Sequence, residues 1–293
     1  MNKKLLVTAV AIGISALLIF EFGINKKGNQ NFSGEKALET VKAQLDLGPR
    51  TPGSQAHEEA INLIQSGLLQ NDWEVEIQQD TNGDYPIQNI IGKRGAGNSP
   101  WIIIAAHYDT RFFADQDPFF DNHTLPVPGA NDGASGVAIL LELARIIPDD
   151  LEKNIWLVFF DAEDQGNIEN WDWILGSKSF VSQLSGKPDK VAIIDMVGDK
   201  DLNLFYEKNS NPELSKELWD IARQNGFGEN FIPEYKFNML DDHIPFISNG
   251  IPAIDIIDFD YPYWHTIDDT YDKVSAESLY AVGQTLLKWL LTS

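Results

Sequence analysis

The stretch Trp101-Ile-Ile-Ile-Ala-Ala-His-Tyr-Asp109 decides how the rest of the chain is read. Six apolar residues run without a polar alternation and then stop at a histidine and an aspartate. A strand of this kind must be covered on both faces, which is the habit of parallel sheets in α/β proteins. Strand-like stretches recur at Trp73 to Ile77, Ile87 to Ile91, Ile155 to Phe160, Val191 to Val197 and Ala253 to Ile257. Between them lie helix-spaced apolar residues (Ala37, Val41, Leu45; Ala60, Ile61, Ile64, Leu68), and helices fit Gly133 to Ile147, Pro212 to Asn225 and Ala276 to Leu291. The alternation predicts one α/β domain whose central sheet is mixed but mostly parallel, with helices on both faces. Ligands of such folds sit outside the carboxyl ends of the strands.

Polar residues collect at those ends. Val158-Phe-Phe runs into Asp161-Ala-Glu163-Asp164, Ala192-Ile-Ile into Asp195, and the strand at Ala253 to Ile257 is soon followed by Trp264-His265-Thr266. Each residue has an ordinary reading. His107 alone is a satisfied core histidine, Asp132 an N-cap for the helix it precedes, Glu163 and Asp164 solvated loop acids, and Asp195 a turn former. Asp241 and Asp242 fit the first turn of a short helix, and His265 loop packing beside Trp264. Together these readings demand independent coincidences at one edge of one sheet. Carboxylates there are costly unless they pair or bind a cation, so the placement points to a single site.

Composition bounds what that site can be. With 293 residues, 43% of them apolar and 23% charged, the chain can bury a sizeable core. Its 22 basic and 44 acidic residues give a net charge of −22, which argues against a nucleic-acid partner. There is no cysteine, so thiol chemistry and disulfides are excluded and a metal site must use histidine and carboxylates, a donor set for a hard or borderline cation.

The N-terminus has the pattern of an export segment: Lys3 and Lys4, an apolar run from Leu5 to Phe20, then Lys26 and Lys27. Bulky residues from Leu18 to Phe22 disfavour cleavage. Residues 1–23 are therefore expected to form a signal anchor, 24–33 a polar linker, and 34–293 a catalytic domain outside the cytoplasm, periplasmic or at the cell surface. Without residues 1–27 the chain holds 18 basic and 43 acidic residues, a net −25.

The segments Leu47-Gly-Pro-Arg-Thr-Pro-Gly-Ser54, Ala106-His-Tyr-Asp109, Gly129-Ala-Asn-Asp-Gly-Ala-Ser-Gly136, Phe159-Phe-Asp-Ala-Glu-Asp164, Leu175-Gly-Ser177, Ile194-Asp-Met-Val-Gly198, Asp241-Asp-His-Ile-Pro-Phe246 and Tyr263-Trp-His-Thr266 occur in an order that resembles zinc peptidase family M28. Within that family the chain resembles the glutaminyl-peptide cyclotransferases of bacterial type. The resemblance runs from about residue 34 to the C-terminus. It implies a zinc exopeptidase-like fold and zinc ligands at Asp132, Asp164 and His265. It makes Glu163 the base and acid, with Asp195 and Asp241 in a carboxylate network and Trp264 in the substrate pocket. One zinc per chain and substrates that are peptides or proteins with N-terminal glutamine follow from the same resemblance. The membrane is expected to be touched only by the N-terminal segment.

The family's aminopeptidases bind two zincs, and here His107, Asp132, Asp164, Asp195 and His265 supply a counterpart for every ligand. A di-zinc aminopeptidase is thus the alternative, and a non-catalytic binding domain on the same fold a third reading. The Asp241-Asp242-His243 string and Trp264 before His265 favour the cyclase. Two positions depart from the animal cyclases: Asp164 stands where they carry Glu, and Asp255 where they carry His. Trp171 and Trp173, and Phe112, Phe113, Phe119 and Phe120 in the long connection before Asp132, either rim the pocket or simply pack.

Overall fold

The computed structural model describes residues 31–95 and 100–292. The expected signal anchor at 1–23 and most of the expected linker lie outside the described residues. No described helix is long and apolar enough to cross a membrane. Phe32–Ser293 makes one compact unit.

In chain order the elements are α1 (Gly34–Leu45), α2 (Gln55–Leu69), β1 (Glu74–Asn82), β2 (Tyr85–Arg94), β3 (Trp101–His107), α3 (Ala134–Ile146), β4 (Asn154–Phe160), α4 (Leu175–Ser182), β5 (Lys190–Asp195), β6 (Leu204–Tyr206), α5 (Pro212–Gln224), β7 (Phe231–Tyr235), α6 (His243–Ser248), β8 (Ala253–Ile257) and α7 (Ala276–Thr292). Six strands form one sheet in the order β1-β2-β4-β3-β5-β8. The β4-β3-β5-β8 portion is parallel, and β1 and β2 add an antiparallel hairpin beside β4. The sheet is the mixed, mostly parallel one expected.

The continuous apolar runs do what their pattern requires. Along β3, Ile102, Ile104 and Ala106 face a core shared with α1, α2, α3, α5 and α7. Ile103 and Ala105 face a smaller core shared with Phe180 and Val181 of α4 and Phe246 of α6. The β3-to-β4 connection carries α3 on one face and the β4-to-β5 connection carries α4 on the other. All four parallel strands therefore present their carboxyl ends at one edge, with His107 in register with Phe160 and Asp195 in register with Ile257.

Several local expectations need correction. The strand expected to reach Val197 ends at Asp195, because Met196 adopts a left-handed backbone (φ +47°) that breaks the extended path. The helix expected from Gly133 begins at Ala134, with Gly133 as its N-cap at φ +90° and no capping side chain. The first strand begins at Glu74 rather than Trp73, whose buried indole instead donates to the Ala144 carbonyl at 2.8 Å. It then runs on through polar residues to Asn82, paired with β2. Helix α4 and the two-stranded β6–β7 sheet were not anticipated. Both are too short for hydrophobic periodicity to register.

Candidate metal centre and reaction pocket

The carboxyl ends of the strands deliver the polar residues from separate loops. His107 ends β3, the loop after β4 carries Glu163 and Asp164, Asp195 ends β5, and His265 lies in the loop after β8. Asp132 enters from the connection before α3. Its Oδ1 lies 3.2 Å from His107 Nε2 and its Oδ2 lies 3.6 Å from His265 Nε2. His265 Nε2 is 2.6 Å from Asp164 Oδ1, and His107 Nε2 is 3.1 Å from Asp195 Oδ1. Two ligand-competent groups result, Asp132–Asp164–His265 and His107–Asp132–Asp195, with Asp132 common to both.

These residues suit a zinc ion. Asp132 Oδ2 and Asp164 Oδ2 are buried and have no hydrogen-bond partner, a costly condition that a coordinated cation relieves. The donor set of imidazole nitrogen and carboxylate oxygen is one that zinc accepts, and it leaves a coordination position open in the first group. Glu163 lies beside Asp164 in sequence and lines the same cavity of about 200 Å³, together with Asp132, Asp195, Asp241, Trp173 and Trp264. Met196, Met239, Leu240, Ile257 and Phe259 make its apolar side.

Electrostatics follows from crowding acids in a dry place. Burial raises the Glu163 carboxyl well above its ordinary range, and the neighbouring Asp164 and Asp241 charges add to the effect. Burial likewise pushes Asp195 up to about 7 and Asp164 up to about 6, and raises Asp241. For His265 burial opposes the charge, yet Asp164, Asp115 and Asp132 overcome it and bring the ring to about 9. Burial also opposes ionisation of Asp132, yet His107 outweighs it and lowers that carboxyl, so the acids of the pocket differ in how readily they give up a proton.

The backbone at the site is constrained. Ala162 (φ +51°), Met196 (φ +47°) and His265 (φ +54°) are non-glycine residues in the left-handed region. Each is a site residue or its immediate neighbour, and such conformations persist only where surrounding contacts enforce them. Asp109 supplies some of that enforcement, its carboxylate accepting the backbone N–H of Glu163 at 3.0 Å and of Asp164 at 3.3 Å. Asp269 accepts the N–H of Asp132 at 3.1 Å and that of Asn131 at 2.9 Å. Arg50 donates to the carbonyls of Pro128 and Gly129 ahead of Asp132, and Arg111 to the carbonyl of Asp164 at 2.8 Å. Sequence reasoning assigned none of these four a role. Asp109 had a usable signal in its spacing two residues after His107, whereas the partners of Arg50, Arg111 and Asp269 are visible only in three dimensions.

The aromatic residues divide. Trp264 stacks on His265 with ring centroids 3.8 Å apart, and Trp173 lies nearly parallel to the same imidazole at 6.0 Å. Trp171 instead packs with Tyr85 and Phe112. Phe119 and Phe120 are exposed, at 69% and 82%. The long connection nevertheless braces the site, since Gln116 N–H donates to the His265 carbonyl at 3.2 Å and Ile267 N–H to Asp117 at 3.2 Å. Asp255 does not line the cavity. It lies behind it, near His243.

The chain is similar to known proteins in sequence and in fold. Residues 89–290 match the model of peptidase family M28. The structure is similar to that of a glutaminyl cyclase from Bacteroides thetaiotaomicron bound to N-acetylhistamine, with a TM-score of 0.84, 33% identity, and 90% of this chain and 99% of that chain covered. It is similar to a leucine aminopeptidase precursor from the same organism, with a TM-score of 0.86, 33% identity, and 90% and 99% coverage. In sequence it is 25% identical to the glutaminyl-peptide cyclotransferase of Bos taurus over 84% of this chain and 78% of the relative. The match spans well over half of the residues and includes every strand end that bears a site residue after β2, so the chain belongs to peptidase family M28.

Proposed function

We propose that this M28 enzyme is a zinc-dependent glutaminyl-peptide cyclotransferase that converts N-terminal glutamine to pyroglutamate and releases ammonia. The observation that carries the reading is the small cavity in which Glu163 shares the lining with Asp195, Asp241 and Trp264 beside the Asp132–Asp164–His265 group. A compact pocket with several protonatable carboxyls suits an internal ring closure, which needs a held side chain, a base and an acid but no activated water.

In this reading Asp132, Asp164 and His265 hold one zinc, which supplies Lewis-acid polarisation of a carbonyl oxygen. Trp264 and the apolar wall orient the glutamine side chain against the α-amine. Glu163 takes a proton from that amine as its nitrogen bonds to the γ-carbonyl carbon. It returns the proton to the amide nitrogen as the carbon–nitrogen bond breaks and ammonia leaves. Asp195 and Asp241 share the proton load with Glu163, because neighbouring acids in a dry pocket do not all ionise. Substrates are peptides or proteins with N-terminal glutamine, met outside the cytoplasm by a domain tethered through residues 1–23.

The His107–Asp132–Asp195 group favours a second reading, a di-zinc aminopeptidase. Mass spectrometry of a glutamine-initiated peptide after incubation decides between them. Loss of ammonia supports the cyclase, and loss of a residue supports the aminopeptidase.

A further inference from the structure

Behind the pocket, Glu207 is a buried carboxylate, 1% exposed, that the chemistry above does not use. Its Oε2 accepts from the backbone of Asn209 at 2.8 Å and of Ser210 at 2.7 Å, and from the Ser210 hydroxyl at 2.9 Å. Its Oε1 accepts the Met239 N–H at 3.0 Å, and His243 Nε2 lies 3.1 Å from Oε2. Met239 is two residues before Asp241 and His243 two residues after it. The segment between β7 and α6 is otherwise irregular, and the same turn holds its carbonyls: Lys208 N–H donates to Phe237 at 3.0 Å and the Asn209 side chain to Met239 at 3.1 Å. The turn is itself joined to β8 through the Asp255 N–H, which donates to the Ser210 hydroxyl at 2.9 Å.

We infer that Glu207 is a positioning residue for Asp241: one carboxylate grips the pocket segment on both sides of the acid and ties it to the sheet. Only an acceptor with two oxygens meets these donors, because an amide would turn an N–H₂ group toward one set of them. Burying a charge behind a pocket is costly unless its hydrogen bonds are needed there, and the residue so held, Met239, belongs to the cavity wall. The catalytic part of this inference rests on the cyclase reading. The mechanical part does not.

The test is a double-mutant cycle with hydrogen exchange on the full chain. Glu207→Gln is expected to keep its zinc, to speed exchange in peptides covering residues 236–242, and to lower kcat for a glutamine-initiated peptide by roughly tenfold to a hundredfold, the cost of a small misplacement. In an Asp241→Asn background the same change should cost little further, since a residue that acts through Asp241 has nothing left to position. Full, additive loss in that background, or unchanged exchange in 236–242, overturns the inference. Should Glu207→Gln fail to fold, Ser210→Ala removes one donor to Glu207, the hydroxyl that also accepts the Asp255 N–H. Unchanged exchange in that variant then overturns the inference. If the wild type releases a residue rather than ammonia, the cyclase reading fails while the exchange arm and the same cycle on that reaction still decide the role of Glu207.

Discussion

His265 Nε2 stands 2.6 Å from Asp164 Oδ1, while Glu163, the next residue back along the chain, lines the pocket and has its N–H held by Asp109. Neighbouring acids in one loop thus face different tasks, and substitution should separate them. Glu163→Gln should keep zinc and lose at least the roughly 10²- to 10⁴-fold typical of a general acid/base. Asp164→Asn should lose metal together with activity, and added zinc should restore only part of the rate. Metal analysis beside kinetics reads both. A zinc-free Glu163→Gln with an active, zinc-loaded Asp164→Asn would reverse the roles.

Protein purified without added metal should contain one tightly held zinc per chain by elemental analysis. His107→Ala should leave that content unchanged. A stable content of two, reduced to one by His107→Ala, would transfer the assignment to the aminopeptidase.

Trp264→Ala should retain zinc and lose most activity, because the indole that stacks on His265 also walls the cavity that Glu163 lines. Unchanged kinetics would leave Trp264 as packing alone.

Acid stability should carry the mark of Glu207. Burial works to raise its carboxyl, but His243 and the backbone N–H groups of Asn209 and Met239 outweigh it and hold the group at about 2. A lowered carboxyl stabilises the fold above its unfolded value, which lies near 4.5, and that contribution fades as pH falls toward 2. Glu207→Gln should therefore lower the melting temperature at pH 7, on the order of 5 °C, and by less at pH 3. Scanning calorimetry at the two pH values measures the difference. A gap that widens in acid would contradict the sign.

Protease added to spheroplasts should digest the domain if residues 1–23 anchor it outside the cytoplasm. Full protection would refute that topology.

The parallel strands of the six-stranded sheet were legible because a two-face-buried strand announces itself as an apolar run, and β8 spans the expected Ala253–Ile257. Boundaries failed where a single residue broke the pattern, as Met196 does after Asp195. His107, Glu163, Asp164 and Asp195 were legible because each follows such a run, whereas Asp132 and Asp241 took their roles from the family resemblance. The residues that hold them were not: Arg50 lies 78 residues from one carbonyl it grips, and Glu207 reaches Met239 across 32. Hydrogen bonds to backbone atoms leave no trace in side-chain patterning. The same holds for Asp255, whose carboxylate oxygens are buried without hydrogen-bond partners beside His243.

The left-handed turns at Ala162, Met196 and His265 set this centre against the chain's own robustness. A non-glycine residue there costs about 1 kcal/mol or more relative to a relaxed backbone, so a glycine at 162 would be a cheap way to harden the fold. It would also relax the backbone turn directly before Glu163. Selection for heat tolerance and selection for turnover therefore pull on the same three positions in opposite directions, and a laboratory search for sturdier variants should gain first where the enzyme can least tolerate it.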